Sequence, residues 1–287
     1  MTQENPLKLD PTELSGEVIA WDMKGAKKVS FQDIQAALAL SGLDEKYAKD
    51  MRPRQAFTRA CKELSDKRVI RITDQCDKEV RFQFNKENQT AGMFEFPYEC
   101  QIVLSKVTGK VDCPSYPELE EQIQNLIHRH LQERTPADVS KIVQAIFDDN
   151  GDLFPVVPAK GVAYVVPIAH KELCDKVETF LDAMGGRLCR YPVPKAESKS
   201  FSETIQQGFE NLLDELDEAT RNLSDKTRES TANKHLAEFQ TVKYKMALYA
   251  EHLEARKAEL LDRVECAEAD AKNAVEKLIS AKGEPDG

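Results

Sequence analysis

Aromatic residues make up only 7% of this sequence, with a single tryptophan, Trp21. No apolar run approaches the ~20 residues that cross a bilayer, so no membrane span is expected. The seven cysteines (Cys61, Cys76, Cys100, Cys113, Cys174, Cys189 and Cys266) are an odd total with no Cys-x-x-Cys pair. Together with the lack of an apolar leader, this points to a reducing cytoplasm and not to a disulfide framework. No cysteine or histidine completes a tetrahedral metal site beside His128 and His130, which project in different directions from one helix. Lys24-Gly25-Ala26-Lys27-Lys28 lacks the spacing of a phosphate-binding loop, and neither a nucleophile elbow nor a metalloprotease histidine pair is present. Asp148, Asn150 and Asp152 alternate as in a calcium loop. Leu153 and Ala159, however, stand where glycine and a bidentate glutamate belong, so a helix-ending turn is expected there. The sequence thus points to no catalytic residue, metal, cofactor or small-molecule substrate.

What the sequence has in quantity is charge: 31% of residues, with a formal net charge of −10. That balance excludes a uniformly basic nucleic-acid binder but not a local one. The local excess is Arg52, Arg54, Arg59, Lys62, Lys67, Arg68 and Arg71, opposed only by Glu63 and Asp66. The same residues also suit a solvated helix face with pairs such as Arg59–Glu63.

Helical and strand periodicities predict an α+β, helix-rich chain in several parts. Residues 1–16 read as a loose, flexible tail. Residues 17–90 run strand, helix from Ser30, short helix over Glu45–Asp50, helix after Pro53, then a hairpin of Val69–Ile72 and Val80–Phe84. Helix, helix, helix, hairpin is the order of a winged-helix domain, whose third helix enters the major groove. Residues 91–194 form a second small α+β domain. In it Thr135-Pro136-Ala137-Asp138 starts a helix striped by Val139, Ile142, Val143, Ile146 and Phe147. A second hairpin (Leu153–Val157 with Gly161–Val166), a helix ending at Gly185-Gly186 and a last strand, Arg187–Val193, follow. Residues 195–200 read as a linker.

From residue 201 to 281 no glycine or proline interrupts Glu210–Lys282 except beyond its ends, apart from Gly208 at the start. Phe239, Val242, Met246, Tyr249, Leu253, Leu260, Val264 and Leu278 lie on a seam of three- and four-residue spacings, missing one beat at Arg256. A straight helix over Lys234–Ala281 would reach roughly 70 Å. It needs a helical companion, either residues 201–223 folded back or a second copy. A coiled-coil homo-oligomer is the expectation.

The segment Gly161-Val162-Ala163-Tyr164-Val165-Val166-Pro167, followed by a helix and Gly185-Gly186, resembles a recurrent segment of uncharacterised phage and mobile-element proteins with a two-part body and a helical tail. The resemblance spans Trp21–Val193 and brings no catalytic residues. It implies a viral or plasmid-borne origin, hence the cytoplasm of a bacterium or of a phage-infected host. The expected function is non-enzymatic, self-associating recognition, with DNA bound through the basic helix. The alternative is an adaptor or inhibitor that docks on a protein complex through the winged-helix surface or the acidic residues Glu210, Asp214, Glu215, Asp217 and Glu218.

Overall fold

The computed structural model describes residues 13–64, 68–90, 93–157, 163–224 and 227–283. Along the chain, β1 (Leu14–Asp22) is followed by β2 (Val29–Ser30), α1 (Phe31–Leu40), a 3-10 turn over Glu45–Tyr47 and α2 (Pro53–Glu63). Next come β3 (Arg68–Gln75), β4 (Glu79–Lys86), β5 (Asn88–Thr90), β6 (Met93–Glu95), β7 (Tyr98–Ser105) and β8 (Val111–Asp112). Then α3 (Pro117–Gln132), β9 (Glu133–Arg134), α4 (Pro136–Asn150), β10 (Phe154–Pro155), β11 (Tyr164–Pro167), α5 (Lys171–Ala183) and β12 (Arg187–Pro194). The described chain closes with α6 (Lys199–Arg221), α7 (Glu229–Leu248), the single turn α8 (Ala250–Leu253) and α9 (Lys257–Gly283).

This mixed α+β chain divides into two compact units, neither contiguous in sequence. One takes the described residues up to Asp22, Phe147–Glu178 and the described residues from Arg187 on. The other takes Met23–Ile146 and Thr179–Gly186. The contiguous partition expected at 90/91 and 194/201 differs from this, because strand pairing joins segments far apart in the chain.

The second unit is built on an antiparallel sheet in the order β3-β4-β7-β8. Alternation puts Val80, Phe82 and Phe84 of β4, with Cys100, Ile102 and Leu104 of β7, on one buried face. Ala56, Phe57, Ala60 and Cys61 of α2 and Leu119, Ile123 and Ile127 of α3 close on that face. The Phe57 and Phe82 rings stand 4.4 Å apart. Proline at the first position starts α2, and Gln55 Oε1 accepts from the Arg52 amide at 3.1 Å. Ser30 Oγ caps α1 by accepting from the Asp33 amide at 3.0 Å. Two expectations change here. The helix over Glu45–Asp50 is one 3-10 turn. The hairpin is not a free-standing wing either: β4 pairs with β7 across the expected 90/91 boundary, since three apolar residues on one face of β4 need a neighbour on both sides.

The first unit has a sheet in the order β10-β11-β1-β12, antiparallel throughout. β1 lies between its partners, with Val18 opposite Val165 and Ile19 opposite Arg190. The flexible tail expected over residues 1–16 is corrected at its end, since Leu14, Ser15 and Gly16 belong to β1, and residues 1–12 lie outside the described residues. Gly161 and Val162 of the expected second hairpin lie outside as well. The expected linker is a 3-10 turn, Lys195–Glu197, running into α6 at Lys199.

The rod of roughly 70 Å does not form. The helix breaks at Tyr249, and Glu254 takes a left-handed φ of 29° before α9 begins. Gln240 and Lys243 of α7 then reach Glu268 of α9 at 2.8 and 2.5 Å, so the two helices run antiparallel. Thr220 on α6 meets His235 on α7 at 2.8 Å, and Asp214 and Asp217 on α6 meet Arg263 on α9 at 2.5 and 3.1 Å. Phe239, Val242, Met246, Tyr249, Leu253, Leu260 and Val264 are all at most 2% exposed, packed against Ile205, Phe209, Leu213 and Leu216 of α6. Their assignment to oligomerisation is corrected accordingly: the chain's own helices cover the seam, and the side chain of Leu278 lies outside the described ones. The acidic residues named for adaptor docking are partly spent too, since Glu210 pairs with Arg256 and Arg263 bridges Asp214 and Asp217.

Gly208 marks a close contact of this bundle with the sheet edge. A Cβ there would stand 2.3 Å from Cδ1 and 2.9 Å from Cε1 of Phe154. Alanine in a helix interior ordinarily stabilises by about 1 kcal/mol over glycine. Here the clash reverses the sign: Gly208→Ala lowers the unfolding free energy by about 2 kcal/mol. Urea denaturation followed by circular dichroism measures this, and a gain in stability would contradict the packing.

Candidate functional site

A cleft of ≈ 970 Å³ opens in the unit of residues 23–146. Its walls are α1 (Phe31, Ile34), the loop Tyr47–Arg52, one face of α2 (Gln55, Thr58, Arg59, Lys62), Arg134, and α4 (Asp138, Lys141, Ile142, Ala145). The helix periods explain the face. Ala56, Phe57 and Ala60 are taken by the sheet, which leaves Arg52, Gln55, Arg59 and Lys62 on the opposite side. Six cations (Lys49, Arg52, Arg59, Lys62, Arg134, Lys141) line the cleft against two carboxylates, Asp50 and Asp138, in a chain whose total is −10.

Two of those cations are fixed. Both terminal nitrogens of Arg59 reach Asp138, Nη1 to Oδ2 at 2.6 Å and Nη2 to Oδ1 at 2.5 Å. Asp138 Oδ2 also accepts from the Thr135 amide and hydroxyl, each at 2.9 Å, so the acid that caps α4 also holds Arg59. Burial pushes the Asp138 carboxyl up, but the hydrogen bonds from Arg59 and Thr135 outweigh it and bring it down to about 2. The hydrogen bond to Asp138 raises Arg59 in turn. Arg134, 5% exposed, donates through Nη1 to the carbonyls of His130, Leu131 and Glu133 at 3.2, 3.1 and 3.1 Å. Its Nη2 donates to the Lys49 carbonyl at 3.3 Å, and the guanidinium lies 4.7 Å over the Phe31 ring. Among the described residues no ion pair to Lys49, Arg52 or Lys141 is found.

Of the seven cations picked out in the sequence, the cleft gathers Arg52, Arg59 and Lys62. Arg54 is exposed on α2, outside the lining. Arg68 is held in a two-pronged pair with Glu99 at 2.8 and 2.9 Å, and Arg71 is exposed on β3. Lys67 lies outside the described residues. Arg59 pairs with Asp138 and not with Glu63, which instead meets Lys28, Arg129 and His130. Lys49, Arg134 and Lys141 escaped the sequence reading. The one trace of them was the cap Thr135–Asp138, which fixes where α4 starts but not what its acid faces.

A second polar constellation reads as structural. Tyr249 donates to Asp152 Oδ2 at 2.5 Å and meets His170 Nε2 at 2.5 Å, while Lys245 reaches Asp152 Oδ1 at 2.5 Å. Tyr249 is 1% exposed, and burial, followed by the Asp152 charge, drives its hydroxyl well above the ordinary range. This buried hydroxyl ties the end of α7 to the turn after α4. Among the described residues no group of three or more His, Cys, Asp or Glu is arranged to hold a metal, and no helix is long and apolar enough to cross a membrane.

The Asp138 hydrogen bonds carry a stability consequence with a definite sign. The folded carboxyl titrates below its unfolded value of about 4, so its contribution is full above that value and is lost as the pH falls towards about 2. Asp138→Ala should lower stability by about 2 kcal/mol at pH 7. The deficit relative to the parent should shrink in urea melts taken between pH 4 and pH 2. A deficit constant with pH would mean that the carboxylate's charge is not what holds Arg59.

Neither the curated proteins nor the solved structures contain a significant match to this chain. One family model does match, over residues 14–282, and its description carries no function and names no phage or mobile-element relative. With nearly every described element inside that match, the chain belongs to the family of unknown function DUF6744.

Proposed function

We propose that this is a non-enzymatic recognition protein that binds single-stranded nucleic acid through the cleft between α2 and α4. The observation that carries the reading is the concentration of six cations against two acids in one concavity of an otherwise acidic chain. Phosphate backbones are recognised by such grooves when an apolar or aromatic surface lies beside the cations, and the half-buried Phe31 and Ile142 supply it. The order α1, 3-10 turn, α2, β3–β4 supports a winged-helix-like ancestry for the unit. The cationic face of α2, however, is walled by α4 and does not project, which favours a strand over a duplex groove.

A protein partner is the runner-up, favoured by the exposed apolar side chains Ile72, Phe96 and Tyr98 on and beside β3 and β7. Fluorescence anisotropy with a labelled oligonucleotide separates the two readings. Binding through about four of the cleft cations should weaken with salt at a log–log slope of about −3. Charge removal by Arg52→Ala with Lys141→Ala should weaken binding by at least about tenfold while the circular dichroism melt is kept. A flat salt dependence, or affinity untouched by the double variant, would sink the nucleic-acid reading.

A further inference from the structure

Arg134 and Arg59 line the same cleft in unequal electrostatic situations. Arg134 is nearly inaccessible, its hydrogen bonds go to four neutral carbonyls, and among the described residues no carboxylate pairs with it. A buried guanidinium bonded only to dipoles has no counter-charge in direct contact, where burial makes one most valuable. Arg59 has a counter-charge, but an internal one: the two Asp138 oxygens occupy its fork as two phosphate oxygens would. These groups act on one another: burial draws Arg134 below its ordinary range, Asp138 and Asp50 favour its charged form from a distance, and Arg59 disfavours it.

We infer that this part of the cleft is a subsite for a terminal phosphate monoester, in which the ligand's phosphate takes the place of Asp138 on Arg59 and gives Arg134 a counter-charge in contact. The proposal rests on the nucleic-acid reading and names which part of a strand the cleft prefers. Charge decides between the parts. An internal phosphodiester carries one negative charge, the same as the Asp138 carboxylate, and has no advantage in displacing it. A monoester carries about 1.5 to 2 negative charges at pH 7 and three acceptor oxygens, enough for two guanidinium groups at once. Asp138 is then a positioning residue: it keeps Arg59 aimed at the cleft in the empty protein and sets a threshold that singly charged groups do not pass. The size agrees, because ≈ 970 Å³ holds a strand end and not a long tract of backbone.

The test compares one oligonucleotide carrying a 3′ fluorophore in two forms, with a 5′-phosphate and with a 5′-hydroxyl, titrated with the full chain. The phosphorylated form should bind about tenfold tighter, the worth of one charge-assisted fork. Asp138→Asn keeps an acceptor for Thr135 while removing the competing charge. It should tighten the hydroxyl form more than the phosphorylated one and so compress the preference. Arg134→Lys, or Arg59→Lys should the former melt early, keeps the charge, loses the fork and should bring the preference close to one. Equal affinities of the two oligonucleotides for the parent chain overturn the subsite. Two further arms identify the source of the phosphate: a nucleoside monophosphate competing as well as the strand end makes the subsite a nucleotide site, and a phosphoserine peptide competing better than either overturns the strand-end assignment. If neither oligonucleotide binds, the nucleic-acid reading falls. Inorganic phosphate followed on the arginine side-chain amide resonances then judges the subsite alone: shifts of Arg59 and Arg134 that Asp138→Asn strengthens uphold it, and unmoved resonances overturn it.

Discussion

The apolar stripes of α6, α7 and α9 have to be covered, and the reversal of the chain at Glu254 lets them cover one another. Leu253 lies fully buried immediately before the left-handed residue and Leu260 two turns after it, so the turn costs the seam a single beat. With α6 laid along both, phenylalanines 201, 209 and 239 and the aliphatic residues between them fill a core that continues through Phe154 and Val165 into the sheet. Each large side chain buried in this way contributes about 1.5 to 3 kcal/mol. The strain of one non-glycine residue at positive φ, of order 1–3 kcal/mol, is small beside the sum. Where the core stops, ion pairs take over: Arg256 with Glu210, Arg263 with Asp214 and Asp217, and Glu268 with Lys243 and Lys272. These pairs fix which helix faces which. The more exposed of them, at Arg256 and Arg263, add little to stability.

Much of this was legible in the order of residues, and the illegible parts share a cause. The seam from Phe239 to Val264 announced helices needing company, and its missing beat at Arg256 marked the place where the chain turns back. Read as a skip in a continuous rod, that beat led to a dimer; read as a break, it leads to a hairpin. Periodicity reports that a face must be buried, never by whom. The same holds for the strands. Alternation in Val80–Phe84 identified β4, yet its second partner, β7, lies beyond two short strands, and β1 gave no hint that it would pair with residues near 165 and near 190.

The candidate site was half legible for electrostatic reasons. A run of cations along α2 is visible because it is local. Whether each one is available depends on acids elsewhere: Asp138 is 79 residues from Arg59, and Glu99 is 31 residues from Arg68. Arg190 gives the sharpest contrast, since Glu17, Asp175 and Glu178 all converge on it and leave no positive charge to offer. A cluster of basic residues in sequence therefore has to be pruned of those already paired, and Arg134 shows that it has to be enlarged as well.

The position of β1 between β11 and β12 sets the order of events on the ribosome. The strand is made before its sheet partners, and the residue that neutralises its Glu17 comes 173 positions later. At 5–20 residues per second, synthesis keeps β1 without its neighbours for on the order of ten to thirty seconds. During that interval residues 23–146, which contain the whole β3-β4-β7-β8 sheet and both helices that cover it, are complete and can collapse on themselves. β1 is thus made before residues 23–146, yet finds its place in a sheet only after they are complete.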